Sequence, residues 1–398
     1  MATYINIAEP SRATVDPNRF SLWELGFRPF YLLASSFTAL SIVLWALQYS
    51  GFFSYAYLQG PMWHAHEMIF GFVLPVIVGF LLTAGRSWSG LKTLNGWPLM
   101  MLALLWLVAR VLILTPWSWA AAVANTLFPL SAAFALAVPF YKARAQRNYF
   151  LPGLLVLMAI VSTSIHATAL GLLDFPVWLG IRLALDVVLF IIITIAGRVV
   201  PMFTNNGVQG AQAGRHPLLE KLAPASILAL FLADAIQFSG AVFGVLLVVA
   251  GIIHGSRLYL WQPLKTFRNP LVWILHIAYA WIVVHLLLRS LFEFSLIDSS
   301  LATHALTTGV IGSITIGMMT RTAKGHTGRA LKANLFDIGS FILIQAAAIT
   351  RVFVPMLAPV YMMQSVLWAA VFWSAAYGLY AVRYWPVLTR ARLDGKPG

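Results

Sequence analysis

A chain of 398 residues is long enough for two or three soluble domains, but 60% of it is apolar and only 10% is charged. The apolar residues fall in runs of roughly 20, the length at which a helix crosses a ~30 Å hydrocarbon core. The fold expected is therefore an all-α polytopic membrane protein without a sizeable soluble domain. The formal net charge of +14 does not point to nucleic acid, because the basic residues sit in loops beside apolar runs, where topology and anionic lipid account for them. The absence of cysteine excludes disulfides, thiolate metal sites and iron–sulfur clusters.

Residues 1–27 form a polar first segment with Arg12, Asp16 and Arg19, lacking the basic, apolar, small-residue order of a cleaved signal peptide. Twelve spans follow, at about 28–49, 62–84, 97–114, 118–140, 150–172, 177–200, 222–238, 241–258, 270–291, 300–320, 334–353 and 359–382. Residues 1–398 then form one transmembrane domain, with a tail at 383–398. If the N-terminus is inside, 22 of the 26 Lys and Arg residues fall in inner segments. Only Arg110, Arg182, Arg289 and Arg351 are left for the outer halves. The split alternates with every span, which supports twelve helices with both termini cytoplasmic.

A short repeat recurs every four spans. Span two ends Leu82-Thr83-Ala84-Gly85-Arg86, span six Thr194-Ile195-Ala196-Gly197-Arg198, and span ten Gly317-Met318-Met319-Thr320-Arg321. Three pseudo-repeated four-helix units would place one such arginine each at the inner face.

Span two opens with Trp63-His64-Ala65-His66-Glu67-Met68. An ionisable group in a bilayer costs at least ~2.5–3.5 kcal/mol on insertion scales, so such a stretch marks function. Of nine histidines, His64, His66, His166, His285 and His304 all fall within ~10 Å of the outer boundary at 1.5 Å per residue. They are the candidate metal ligands, imidazole being the commonest ligand of copper, zinc and haem iron. His216, His254 and His326 read as solvated or interfacial, and His276 as two turns inside span nine. Residues two apart on a helix differ by ~200° in direction, so His64 and His66 serve two sites unless a turn intervenes. Met68 faces away from His66 by the same angle.

Glu67 is placed to hold a histidine's second ring nitrogen or to move protons. The four outer arginines suit carboxylates, whether haem propionates or protein acids. On single helices, Asp186 lies one turn from Arg182 and Glu293 one turn from Arg289. Asp186 and Asp234 are candidates for proton relay or for pairing with arginine.

Taken together, these motifs resemble the NnrS family. The similarity rests on Leu25-Gly26-Phe27-Arg28-Pro29-Phe30-Tyr31-Leu32, on Trp63 to Met68 with Gly71-Phe72, on Gly197 to Asn205, and on His304-Ala305-Leu306 through Met318-Met319-Thr320-Arg321. The resemblance implies a bacterial inner-membrane protein with haem and copper, tied to nitric oxide, nitrosative stress and denitrification. The layout is also similar to the haem–copper oxidase core, with haem-ligating histidines on helices two and ten. That core has copper ligands on helices six and seven, whereas this chain has no histidine there, so proton-pumping oxygen reduction is not expected.

On that basis His66 and His304 are expected as axial haem ligands. Arg110, Arg182, Arg289 and Arg351 are expected near propionates, and His64 with His285 or His166 at copper. Glu67 and Asp186 are the expected proton-handling residues. The ligand the resemblance implies is nitric oxide, expected to be bound, sensed or turned over. A membrane electron donor or a denitrification reductase is the expected partner. The alternatives are a twelve-helix secondary transporter without cofactor, or a regulator that delivers metal to a reductase.

Overall fold

The computed structural model describes residues 16, 18–52, 57–58 and 60–395. Arg12 and Lys396 lie outside them. Among the described residues twelve helices follow in chain order: α1 Phe27–Tyr49, α2 Pro61–Ser89, α3 Gly96–Leu112, α4 Ser118–Lys142, α5 Phe150–Ala169, α6 Val177–Gly207, α7 Pro217–Ala235, α8 Ala241–Leu260, α9 Pro270–Glu293, α10 Ser299–His326, α11 Leu335–Leu357 and α12 Met362–Thr389. Ten are long and apolar enough to cross a membrane. The others are α3, apolar but 17 residues long, and α7, which carries Glu220, Lys221 and Asp234. The chain is an all-α, multi-pass membrane protein.

Several helices outrun their apolar stretches. α6, α10 and α12 continue to Gly207, His326 and Thr389, beyond the expected ends at 200, 320 and 382. A hydropathy run stops where charged side chains reach the interface. The backbone ladder has no such limit, so Arg321, Lys324 and Arg383 stay helical.

The packing realises the four-span repeat. α2, α10 and α6 are the innermost spans: 83%, 78% and 72% of their apolar stretches are buried, and no other span exceeds 67%. The last helix of each unit packs on the first of the next, α4 on α5 and α8 on α9, and α12 closes the ring on α1. The arginines that end the three inner helices follow the same cycle. Arg198 lies over the Trp88 ring at the end of α2, 5.8 Å from its centroid, and Arg321 over Phe203 at the end of α6, 3.8 Å away. Arg86 lies within charge range of His326 at the end of α10.

Residues 19–21 and 389–391 meet on one face. The Ser21 amide donates to the Thr389 carbonyl at 2.7 Å, and the Ala391 amide to that of Arg19 at 3.0 Å. The buried Arg28 guanidinium donates to the Leu388 and Arg390 carbonyls at 2.9 and 2.7 Å. This end is called the basic face below, and the opposite end the histidine face.

Candidate functional site

Two of the three inner helices are interrupted near the histidine face. α2 is α-helical over Pro61–His66, π-helical over Glu67–Val73 and α-helical again from Leu74. α10 repeats the pattern, α-helical over Ser299–His304 and π-helical over Ala305–Ile311. Each π turn thus starts immediately after a histidine, His66 in one and His304 in the other. Such turns re-aim side chains and concentrate at functional sites. In α2, Pro75 lacks the N–H for a regular bond, and its ring crowds the carbonyl one turn back.

Both π turns also carry a glycine five residues after the histidine. A Cβ at Gly71 would collide with the Phe37 ring and sit 3.0 Å from Arg110 Nη1. A Cβ at Gly309 would collide with the Trp281 indole. The missing side chain at Gly71 therefore opens the space through which Arg110 reaches α2.

The first cluster forms around His66, which is fully buried. His66 Nδ1 lies 2.8 Å from Glu67 Oε1, and Arg110 Nη1 donates to the same oxygen at 2.5 Å. The other arm of Arg110 donates to Asn125 Oδ1 on α4. A carboxylate held by a guanidinium only accepts, so His66 Nδ1 carries the proton and Nε2 carries the lone pair. That Nε2 is buried without a hydrogen-bond partner. His166 on α5 stands edge-on to His66 with ring centroids 4.9 Å apart. Its Nδ1 lies 2.9 Å from the Tyr57 hydroxyl, and its Nε2 is also buried and unpartnered. Burial pushes the Tyr57 phenol up to about 12, so it stays an –OH at neutral pH.

His64 faces the other way, as the helical angle requires. Its ring stacks on Trp45 of α1 at 4.8 Å and 13°, and its Nδ1 is buried and unpartnered. His64, His304 and Arg351 form a second cluster, close enough to feel one another's charge. His304 Nδ1 donates to the Ser300 carbonyl at 2.7 Å, which leaves the lone pair on Nε2. Arg351 Nη2 donates to Ser300 Oγ at 3.3 Å, and its Nη1 is buried without a partner. The structure thus sets His66 against His166, and leaves His64 within charge range of His304. Met68 turns away from both, its Sδ 3.8 Å from Thr38 Oγ1.

The remaining candidates lie apart from these pairs. His285 Nδ1 donates to the Ala302 carbonyl on α10 at 2.8 Å. Arg289 bridges Asp234 and Asp186, with Nη1 3.8 Å from Asp186 Oδ1. Arg182 reaches Asp234 at 3.4 Å. The pairings expected along single helices give way to these contacts between helices, and Glu293 instead accepts from the Gly240 amide at 2.8 Å. Among the described residues, three of the four arginines, Arg110, Arg182 and Arg289, are therefore held by protein carboxylates, and Arg351 makes no ion pair.

His254 corrects its reading as solvated or interfacial. It is fully buried, with Nδ1 2.7 Å from the Tyr279 hydroxyl. Arg257 donates to that hydroxyl at 3.0 Å and clasps Glu220 through two bonds of 2.9 and 2.7 Å. Charge near a helix end suggested the interface, but the guanidinium is satisfied inward, between helices.

A family model described as the NnrS protein matches residues 21–392, nearly the whole chain. The chain belongs to the NnrS family. Membership supports a membrane protein of the nitric oxide response, in a family associated with metal and haem binding. No curated protein matches the chain. Among the described residues, no group of three or more histidine and acidic side chains converges to hold a metal ion. In this NnrS-family chain the histidines at this face come together at most in twos.

Those pairs suit the two groups the family implies. His66 and His166 present two buried imidazole nitrogens without partners, a donor set for copper. His304, with its lone pair on Nε2 and the unpartnered Arg351 arm beside it, suits an axial haem ligand next to an acidic propionate.

Proposed function

We propose that the protein binds nitric oxide at metal centres in its histidine layer, as a haem- and copper-containing member of the nitrosative-stress response in a bacterial inner membrane. One observation carries this reading. The His66 and His166 rings stand edge to face with centroids 4.9 Å apart, each with a buried, unpartnered Nε2, and Glu67 lies at Nδ1 of His66. A polar nitrogen buried without a partner costs about 1–3 kcal/mol, a penalty that a bound metal removes.

In this reading His66 and His166 would hold copper, and His304, with His64 and Arg351 nearby, would hold haem. A bound metal supplies the coordination site at which nitric oxide is sensed or turned over. The chain's own residues set its surroundings: Arg110 holds Glu67, Glu67 holds the proton on His66 Nδ1, and Tyr57 stands at His166 Nδ1. Nitric oxide is small and apolar, so it reaches the layer through lipid. A membrane electron donor or a denitrification reductase is the partner this reading calls for.

The test is a visible spectrum with metal analysis of purified protein, before and after nitric oxide is added. His66→Ala and His166→Ala should each lose copper and leave the Soret band. His304→Ala should lose the Soret band or change its spin state. Protein from haem- and copper-replete cells with neither metal would overturn the proposal, and substrate uptake by colourless reconstituted protein would favour a transporter.

A further inference from the structure

Two cavities adjoin at the basic face, far from the histidine layer. One, of about 790 Å3, runs between α3 and α4, with Lys92, Thr93 and Asn95 at its mouth and an apolar wall that includes Leu130, Phe134 and Val138. The other, of about 380 Å3, shares Lys92, Thr93 and Asn95 and adds Arg19 and Arg86. Glu24 is the one acid lining either cavity, and it is ion-paired with Arg19.

Thr93 is 6% exposed, and its hydroxyl is buried without a hydrogen-bond partner while lining both cavities. The start of α3 opens beside it, and its N-cap, Asn95, makes no side-chain capping bond. In its first turn the Gly96 amide is taken by the Trp23 carbonyl at 2.7 Å and Pro98 has none, so the Trp97 amide and the helix dipole are what favour an anion there. Lys92, Thr93 and the start of α3 thus line the same cavity as the apolar side chains of α4. Phe134, one of those side chains, is 73% exposed, which opens the wall toward acyl chains of the surrounding bilayer.

We infer that this double cavity binds one anionic phospholipid, its phosphate at Lys92, Thr93 and the start of α3, and an acyl chain along α4. A redox lipid is not the occupant. The mouth lies about 20 residues of α2 from His66, or ~30 Å at 1.5 Å per residue, too far to serve the histidine layer with electrons. The site holds α2, α3 and α4 together at the end opposite the metal centres, and it stands whether or not those centres are occupied.

Native mass spectrometry of the detergent-purified full chain tests this, with phosphatidylglycerol, phosphatidylcholine or inorganic phosphate added. One phosphatidylglycerol should be retained per chain, in preference to phosphatidylcholine. Thr93→Val and Lys92→Gln should each cut that retention about fivefold. Lys332→Gln removes the same charge from the α10–α11 loop and should leave it unchanged. Thermal unfolding with each lipid gives a second reading, in which phosphatidylglycerol raises the midpoint of the wild type more than that of Thr93→Val. Equal retention of both lipids, an equal loss in Lys332→Gln, unaltered retention in Thr93→Val, or phosphate binding with the same dependence on Lys92 would each overturn the inference.

Discussion

The Glu67–Arg110 pair is the residue-scale anchor of the histidine layer, because it holds two buried charges and one histidine tautomer at once. Glu67 is 1% exposed and Arg110 5%. Removing one partner of a buried pair leaves the other uncompensated, at a cost of about 3–5 kcal/mol. Glu67→Gln should therefore destabilise the protein by that order in detergent unfolding. Adding Arg110→Met to it should recover part of the loss, and the double-mutant cycle measures the coupling. If Glu67→Gln unfolds like the wild type, the pair is not closed in solution. The divergence of His64 and His66 was legible in the sequence, because 100° per residue fixes it. Asp186 and Asp234 were legible as candidate partners for arginine, but which arginines they meet was not. Residues four apart on a helix announce themselves in sequence, whereas Asp234 reaches both Arg182 and Arg289 from α7, and only packing brings it there.

At the scale of elements, the two π turns are the feature that position-by-position reading misses. A sequence signal exists nonetheless: His66 and Gly71, and His304 and Gly309, share a spacing of five in the second helix of the first and third units. Hydropathy is blind to it, because one extra residue in a turn changes neither length nor apolarity. Gly71→Ala and Gly309→Ala would each drive a Cβ into an aromatic ring. Overpacking of this kind costs about 1–3 kcal/mol, so both should lower the unfolding midpoint. Gly153 in α5 has nothing within 4 Å of an added Cβ, so Gly153→Ala should be neutral or stabilising by ~0.5–1 kcal/mol. Equal behaviour of all three would show that the π turns do not depend on close approach. Metal retention adds a separate reading. Gly71→Ala should disturb the His66–His166 pair, because the same space admits Arg110, and leave the His304 cluster intact.

For the whole molecule, the three units explain why two helices fall short of the membrane-crossing criterion. α3 and α7 are each the third helix of a unit: α3 packs chiefly on its successor α4, and α7 lies between the inner helix α6 and α8. A peripheral helix meets lipid on much of its surface. At 17 residues and 1.5 Å per residue, α3 is ~26 Å long, just under the ~30 Å core. The alternation of basic residues nevertheless predicts that α3 and α7 cross, since losing either would place every later basic loop on the wrong side. The charge pattern thus makes a prediction where length alone leaves the crossing ambiguous. Reporter fusions decide the matter. Fusions after Lys142, after Gly210 and after Leu393 should report one compartment, the cytoplasm, and fusions after Thr115, Gly171 and Phe238 the other. If the fusion after Thr115 reported the cytoplasm, α3 would lie along the membrane surface, the first unit would have an odd number of crossings, and the closure of α12 on α1 could not be built from three equivalent units.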